Sequence, residues 1–176
     1  MDSEYYIIMI KEPIFEKSYL KNPVADSPID STSACVAKDM SDTLNYFRQH
    51  GSGVSYICAN QIGDNERIVA VFDSANNKMK FLYNPEIYTK RELQDYWEES
   101  LSRPGRLYNV KCYFEVVVYY FDENGSRKHM ICNGKTAALI QSAISTLDGV
   151  LPEERASECA IIENVVKILN DSALEL

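Results

Sequence analysis

The chain has 176 residues, 45% of them hydrophobic, so we expect one globular domain over residues 1–176 with a sizeable core. A net charge of −8, from 18 basic and 26 acidic residues, disfavours nucleic acids and anionic membranes as partners. No run approaches 18 apolar residues and the first four residues, M-D-S-E, include no basic side chain, so we expect no membrane span, no signal peptide and a cytoplasmic location.

One helix is predicted in the first third of the chain. Residues 1–30 are expected to form an extended arm, with a short strand at 5–10. From Val36 to Phe47 apolar residues recur every three or four positions, and a D-S-T-S segment before them offers helix caps. This pattern predicts a helix over 31–50.

The middle of the chain is rich in strand patterns. The turn signals are Asn84-Pro85, Pro104-Gly105 and the D-E-N-G segment at 122–125, whereas residues 89–100 have no clear pattern. The strands that we predict from apolar and β-branched runs cover residues 54–59, 67–72, 80–83, 111–121 and 127–132.

Two further helical patterns follow the strands, at 134–147 and at 154–170. Long crossover helices between the strands are missing. The order therefore favours an α+β fold, with a mainly antiparallel sheet around a central helix and a C-terminal helix.

The histidines and cysteines offer little for a metal site or a catalytic triad. There are only two histidines, His50 and His129, far apart in the chain. The five cysteines are scattered and no two of them form a C-x-x-C motif, so we expect free and mostly buried thiols.

Three segments nevertheless resemble the motifs of peptide deformylases, and they occur in the family's order. Residues 141–151, Q-S-A-I-S-T-L-D-G-V-L, resemble the third motif, Q-H-E-I-D-H-L-D-G-V-L. Residues 57–63, I-C-A-N-Q-I-G, are similar to the end of the first motif, G-x-G-L-A-A-P-Q-I-G. Residues 98–105, E-E-S-L-S-R-P-G, are similar to the second, E-G-C-L-S-x-P-G. The resemblance implies a peptide deformylase-like fold.

The departures from these motifs fall on the positions that carry the family's chemistry. The resemblance implies metal ligands at a cysteine and two histidines, which are Ser100, Ser142 and Thr146 here. Neutral hydroxyls are poor ligands for the transition metals that thiolate and imidazole bind. The general acid/base position is Ala143, which can move no proton. We therefore expect no metal, no cofactor and no deformylase activity.

The part of the site that polarises the formyl oxygen in the family is half kept. The resemblance assigns that role to Gln61 and to the backbone N–H of Leu101. Two glycines of the motifs are replaced by Tyr56 and Glu99, which we expect to block or reshape the cleft. Gln61 either binds a peptide carbonyl or, as we favour, holds the fold through backbone bonds.

Three functions are compatible with these residues. The first is a pseudoenzyme that acts as a peptide- or protein-binding regulatory module through the remodelled cleft. The second is a metal-independent enzyme of changed chemistry, for which only Cys58, Glu98, Glu99 and hydroxyls are available. The third is a structural subunit paired with an active deformylase.

Overall fold

The structure is a computed structural model that describes residues 8–162. Its helices are α1 Lys17–Leu20, α2 Ser31–Gln49, α3 Gly134–Leu147 and α4 Pro152–Arg155, with a 3-10 helix at Ala59–Ile62. Its strands are β1 Tyr56–Cys58, β2 Ile68–Asp73, β3 Lys78–Glu98, β4 Arg106–Phe121, β5 Arg127–Asn133 and β6 Ala156–Ile161. None of the helices within residues 8–162 is long and apolar enough to span a membrane.

All strand pairs are antiparallel, and the sheet has the order β1-β2-β3-β4-β5. Strand β4 pairs with β3 along most of its length, and β5 and β6 pair with separate halves of β4. The α+β architecture with a mainly antiparallel sheet is therefore confirmed.

Helix α2 begins and packs as its sequence predicts. The Asp30 carboxylate accepts hydrogen bonds from the backbone N–H groups of Thr32 and Ser33, and the Ser33 hydroxyl accepts one from Asp30 N–H. This capping box satisfies donors that the first turn of a helix leaves free. The apolar face of α2, which includes Met40 and Leu44, packs on one side of β1 and β2.

Helix α3 covers the opposite side of the same two strands. Alternate residues of a strand point to opposite faces, so Val69 and Val71 of β2 pack toward α3 while Ile68 and Ala70 pack toward α2. Both faces of β1 and β2 are thus buried. This explains why their sequences are apolar without alternation, and it makes α3 the central helix.

The structure corrects the prediction of a helix over 154–170. Helix α4 ends at Arg155, and Ala156–Ile161 forms β6, which pairs with Arg106–Val110 of β4. The apolar periodicity that suggested a helix starts only at Ile161, whereas the backbone of the preceding residues pairs with the free edge of β4. Residues 163–170 lie outside the described part.

Two other predictions also change. Asn84-Pro85 does not end a strand: Asn84 adopts a φ of 46°, the register shifts nearby, and β3 continues through the segment 89–98 that had no clear pattern. Residues 8–10 are not in a strand, and residues 5–7 of the strand predicted there lie outside the described part.

Candidate functional site

The three motif segments meet where α3 packs against β1 and the end of β3. The positions that the resemblance assigns to metal ligands, Ser100, Ser142 and Thr146, are each no more than 2% exposed, and Ala143 is fully buried. Strand β1 and the 3-10 helix supply Tyr56 and Gln61, which are equally buried. These sequence-predicted site residues are therefore all in the interior, whereas Glu99 is half-buried and Leu101 packs beneath α2.

Gln61 ties the first motif to the second. Its side-chain oxygen accepts a hydrogen bond from the backbone N–H of Cys58 at 2.9 Å. Its amide nitrogen donates to the hydroxyls of Ser100 and Ser102, each at 3.2 Å. Both ends of the amide are engaged within the protein, so Gln61 acts here as a structural link between two segments. Leu101, between the two serines, is buried in the cluster beneath α2.

Ser142 is part of a buried chain of charged hydrogen bonds. Its hydroxyl donates to Glu98, whose other carboxylate oxygen lies 2.7 Å from the Arg155 guanidinium. Burial raises the pKa of Glu98, and the Arg155 charge and the two hydrogen bonds oppose that rise. The position implied to be a histidine ligand thus holds an internal ion pair in place.

The other two positions on α3 are occupied by local contacts. The Thr146 hydroxyl donates to the Ser142 carbonyl oxygen at 3.0 Å, one turn earlier in the helix. The Ala143 carbonyl oxygen accepts from the Cys58 thiol at 3.2 Å, and its methyl group packs in the main core. Neither residue offers a free polar group to a ligand.

Tyr56 is buried in the same core cluster as Ala143. Its side chain is 1% exposed and belongs to the core cluster that surrounds α3. Burial raises the pKa of the Tyr56 phenol, and the neighbouring charge of Glu98 raises it further, whereas Ser100 lowers it. The phenol therefore stays protonated beside the Glu98 carboxylate and the Ser100 hydroxyl.

Glu99 joins the end of β3 to the segment before β1. Its carboxylate accepts a hydrogen bond from the backbone N–H of Gly53 at 3.2 Å. A Cβ atom at Gly53 would lie only 2.9 Å from a Glu99 oxygen, so the two segments are in close contact. Burial raises the pKa of Glu99, and the Gly53 hydrogen bond lowers it.

The donor set at this site does not fit the metal that the resemblance implies. Three neutral hydroxyls replace a thiolate and two imidazoles, and the Glu98 carboxylate, which bonds Ser142, is paired with Arg155. Across residues 8–162, no three histidine, cysteine, aspartate or glutamate side chains are grouped so that they could hold a metal ion. His50 ends α2, with its ring beside the Tyr46 carbonyl oxygen, and His129 lies on β5 beside Tyr119.

Cys58 has none of the features of an activated nucleophile. It is fully buried, and its thiol donates to the Ala143 carbonyl oxygen. Burial raises the pKa of the Cys58 thiol far above its usual value, so the thiolate that would attack a substrate does not form near neutral pH.

Sequence reasoning missed Arg155 and Ser102, which complete the cluster. Arg155 falls in the segment that was assigned to the C-terminal helix, and no motif or spacing links it to Glu98. Ser102 belongs to the second motif, but only the fold shows that it faces Gln61. A buried glutamate needs a cation partner, which is the one signal that could have prompted a search for Arg155.

The comparisons with known proteins agree with the motifs. Residues 7–160 match the family model for polypeptide deformylase. A peptide deformylase from Caldanaerobacter subterraneus subsp. tengcongensis is 30% identical over 170 residues, which covers 97% of this chain and 94% of that protein. A peptide deformylase-like protein from Rickettsia conorii is 31% identical over 152 residues, which covers 84% of this chain and 78% of that protein.

A solved structure shares the fold. The crystal structure of a peptide deformylase from Acinetobacter baumannii with Met-Ala-Ser bound has a TM-score of 0.74, with 19% identity and coverage of 85% of this chain and 99% of that chain. The family model and the relatives together cover nearly the whole described part, so this chain belongs to the peptide deformylase family.

Proposed function

We propose that this chain is a catalytically inactive peptide deformylase-like protein that acts as a peptide- or protein-binding regulatory module. The observation that carries this proposal is the state of the four positions to which the resemblance assigns the metal and the acid/base. Three of them carry neutral hydroxyls, the fourth carries a methyl group, and all four are buried. Their polar groups are satisfied by Glu98, Gln61 and the helix backbone.

Removal of a formyl group by water requires a group that takes a proton from the water. Ala143 has no such group. The nearest carboxylate, Glu98, is 2% exposed and is held by Arg155 and Ser142, so it cannot meet a substrate without breaking that chain. The site thus lacks the general base as well as the metal ligands.

The alternative of a metal-independent enzyme has less support. Cys58 is buried as a neutral thiol, and Glu98 and Glu99 are both engaged in internal contacts. No described residue among these combines a reactive group with access to a substrate. We therefore favour binding over changed chemistry.

The experiment that tests the inactive state is a turnover assay with formyl-Met-Ala-Ser on the full chain, with an active deformylase in the same buffer as a control. We expect no release of formate above background. Formate release that scales with protein concentration, and that Gln61→Met abolishes, would contradict the proposal.

Binding is tested separately. The peptide Met-Ala-Ser without a formyl group, which is bound in the Acinetobacter baumannii structure, is the first probe for a peptide partner at the cleft. Because Tyr56 and Glu99 replace two glycines of the motifs, we expect the cleft to be reshaped and binding to be weaker than to the control enzyme. Saturable binding measured by calorimetry supports the peptide-binding role, and no detectable binding contradicts it. Size measurement of the chain alone, and after mixing with an active deformylase, tests the third possibility, a paired subunit.

A further inference from the structure

The disagreement between this site and a metal centre extends beyond the missing ligands. Tyr56 belongs to the core cluster that includes Ala143 and Leu147 of α3, and it lies on the same face of β1 as Cys58, which touches α3. Its phenol oxygen is buried and has no hydrogen-bond partner among the described residues. A glycine at position 56 would leave an empty space beside α3 where the tyrosine side chain now lies.

The buried Glu98 carboxylate is paired with a cation of the same chain. Arg155 reaches Glu98 at 2.7 Å from helix α4, and its side chain is only 16% exposed. A guanidinium keeps its charge at any ordinary pH, so it neutralises the Glu98 carboxylate with which it is paired. The Glu98 carboxylate is therefore already neutralised by Arg155 and is not a free ligand for a metal ion.

We propose that the site is closed to metal by occupancy, with Tyr56 filling the volume that a metal ion and its ligands would need, so that restoring the ligands alone does not restore metal binding. This inference rests on the proposed function, because it concerns how the same site remains without metal. It assigns Tyr56 a specific role, which is to occupy the space between β1, β3 and α3 that a bound metal ion would need.

The first test compares two variants by titration with Co²⁺ under anaerobic conditions. One carries Ser100→Cys, Ser142→His and Thr146→His, and the other carries these three changes with Tyr56→Gly. The readouts are the thiolate-to-cobalt absorption band and calorimetry, so the test needs no activity. We expect Co²⁺ to bind the second variant at least about 100-fold more tightly than the first. Equal Co²⁺ affinities of the two variants would overturn the inference.

A second measurement applies if either multiple variant does not fold. Tyr56→Gly alone should leave an enclosed space with the shape of the lost side chain, and 4-methylphenol should raise its unfolding temperature in a concentration-dependent way. The matched control is Leu44→Ala, which opens a cavity in the separate cluster beneath α2. Stabilisation of Tyr56→Gly but not of Leu44→Ala or wild type supports the inference, and equal effects on all three contradict it.

The two proposals fail in different experiments. Formate release by the wild-type chain would overturn the proposed function. Tight Co²⁺ binding by the ligand-restored variant with Tyr56 still in place would overturn the occupancy inference, whatever the wild-type chain does.

Discussion

The two halves of the site contrast sharply. On the Gln61 side, residues of the family motif are kept, and Gln61 holds the Cys58 backbone and two serine hydroxyls together. On the Ser142 side, the implied histidines and acid/base glutamate are replaced by Ser142, Thr146 and Ala143. Glu98, which matches a glutamate of the second motif, bonds Ser142 and Arg155 there. The difference teaches that Gln61 has a structural task of its own here, independent of any substrate.

The largest expected effect on stability comes from breaking the ion pair between Glu98 and Arg155. Arg155→Met leaves the Glu98 carboxylate buried without a cation and should lower the free energy of unfolding by about 3–5 kcal/mol. Urea denaturation measures this change. The matched control is Arg91→Met, which removes a pair with Glu115 whose arginine is 75% exposed and should cost about 0–1 kcal/mol.

A double-variant cycle sharpens this prediction. If the cost of Arg155→Met comes from the unpaired carboxylate, then Glu98→Gln with Arg155→Met should recover part of the lost stability. Equal stabilities of Arg155→Met and Arg91→Met in urea would show that the buried pair does not hold this half of the site together.

The Gln61 half should respond less strongly. Gln61→Met keeps the approximate length of the side chain but leaves the Cys58 backbone N–H without an acceptor in a buried place. We expect a loss of about 1–3 kcal/mol in the free energy of unfolding. Gln94→Met serves as the control, since Gln94 is only half-buried and donates to backbone carbonyls at 3.2 and 3.5 Å. A Gln61→Met variant as stable as wild type would remove the structural explanation for its retention.

The pH dependence of stability distinguishes the two halves further. Burial raises the pKa of Glu98 above its ordinary value of 4.5, so the folded chain binds this proton more tightly than the unfolded chain does. The stabilising contribution of protonated Glu98 is present below pH 4.5 and is lost as the pH rises through the higher folded pKa. Relative to Glu98→Gln, the wild type should therefore become less stable as the pH is raised from about 4 to 7. A constant difference across that range would contradict the assignment.

The smallest effect is expected for the labelling of the Cys58 thiol in the folded chain. Iodoacetamide should label the exposed Cys35 and Cys159 in the folded chain, while Cys58 should react only after unfolding. Mass spectrometry of the labelled peptides follows each thiol, and Cys58→Ser identifies the late-reacting peptide. Fast labelling of Cys58 in the folded chain would revive the alternative of a nucleophilic enzyme.

Much of the fold could be predicted because its signals are local. The caps and apolar spacing of α2, the pattern of α3 and the Asn-Gly turn between β4 and β5 each depend on a few neighbouring residues. Strand β6 could not be predicted, because it depends on pairing with the edge of the distant strand β4. The full length of β3 could not be predicted either, because the strand continues through a bulge at Asn84.

The site, like the fold, has a part that local sequence predicts and a part that depends on distant contacts. The motifs predict that Ser100, Ser142 and Thr146 lie close together, because the resemblance assigns all three to one metal site. The contacts that fill the cluster were not predictable, because Arg155 reaches Glu98 across 57 positions of sequence. The direction of the Tyr56 side chain likewise depends on which face of β1 meets α3.

The most direct test of the central claim is the metal content of the full chain, purified without oxygen and measured by mass spectrometry beside an active deformylase. Our account predicts far less than one metal ion per chain, in a sample that is folded by circular dichroism. One tightly bound iron, nickel or zinc per chain, lost when Ser142 or Thr146 is replaced by alanine, would contradict it.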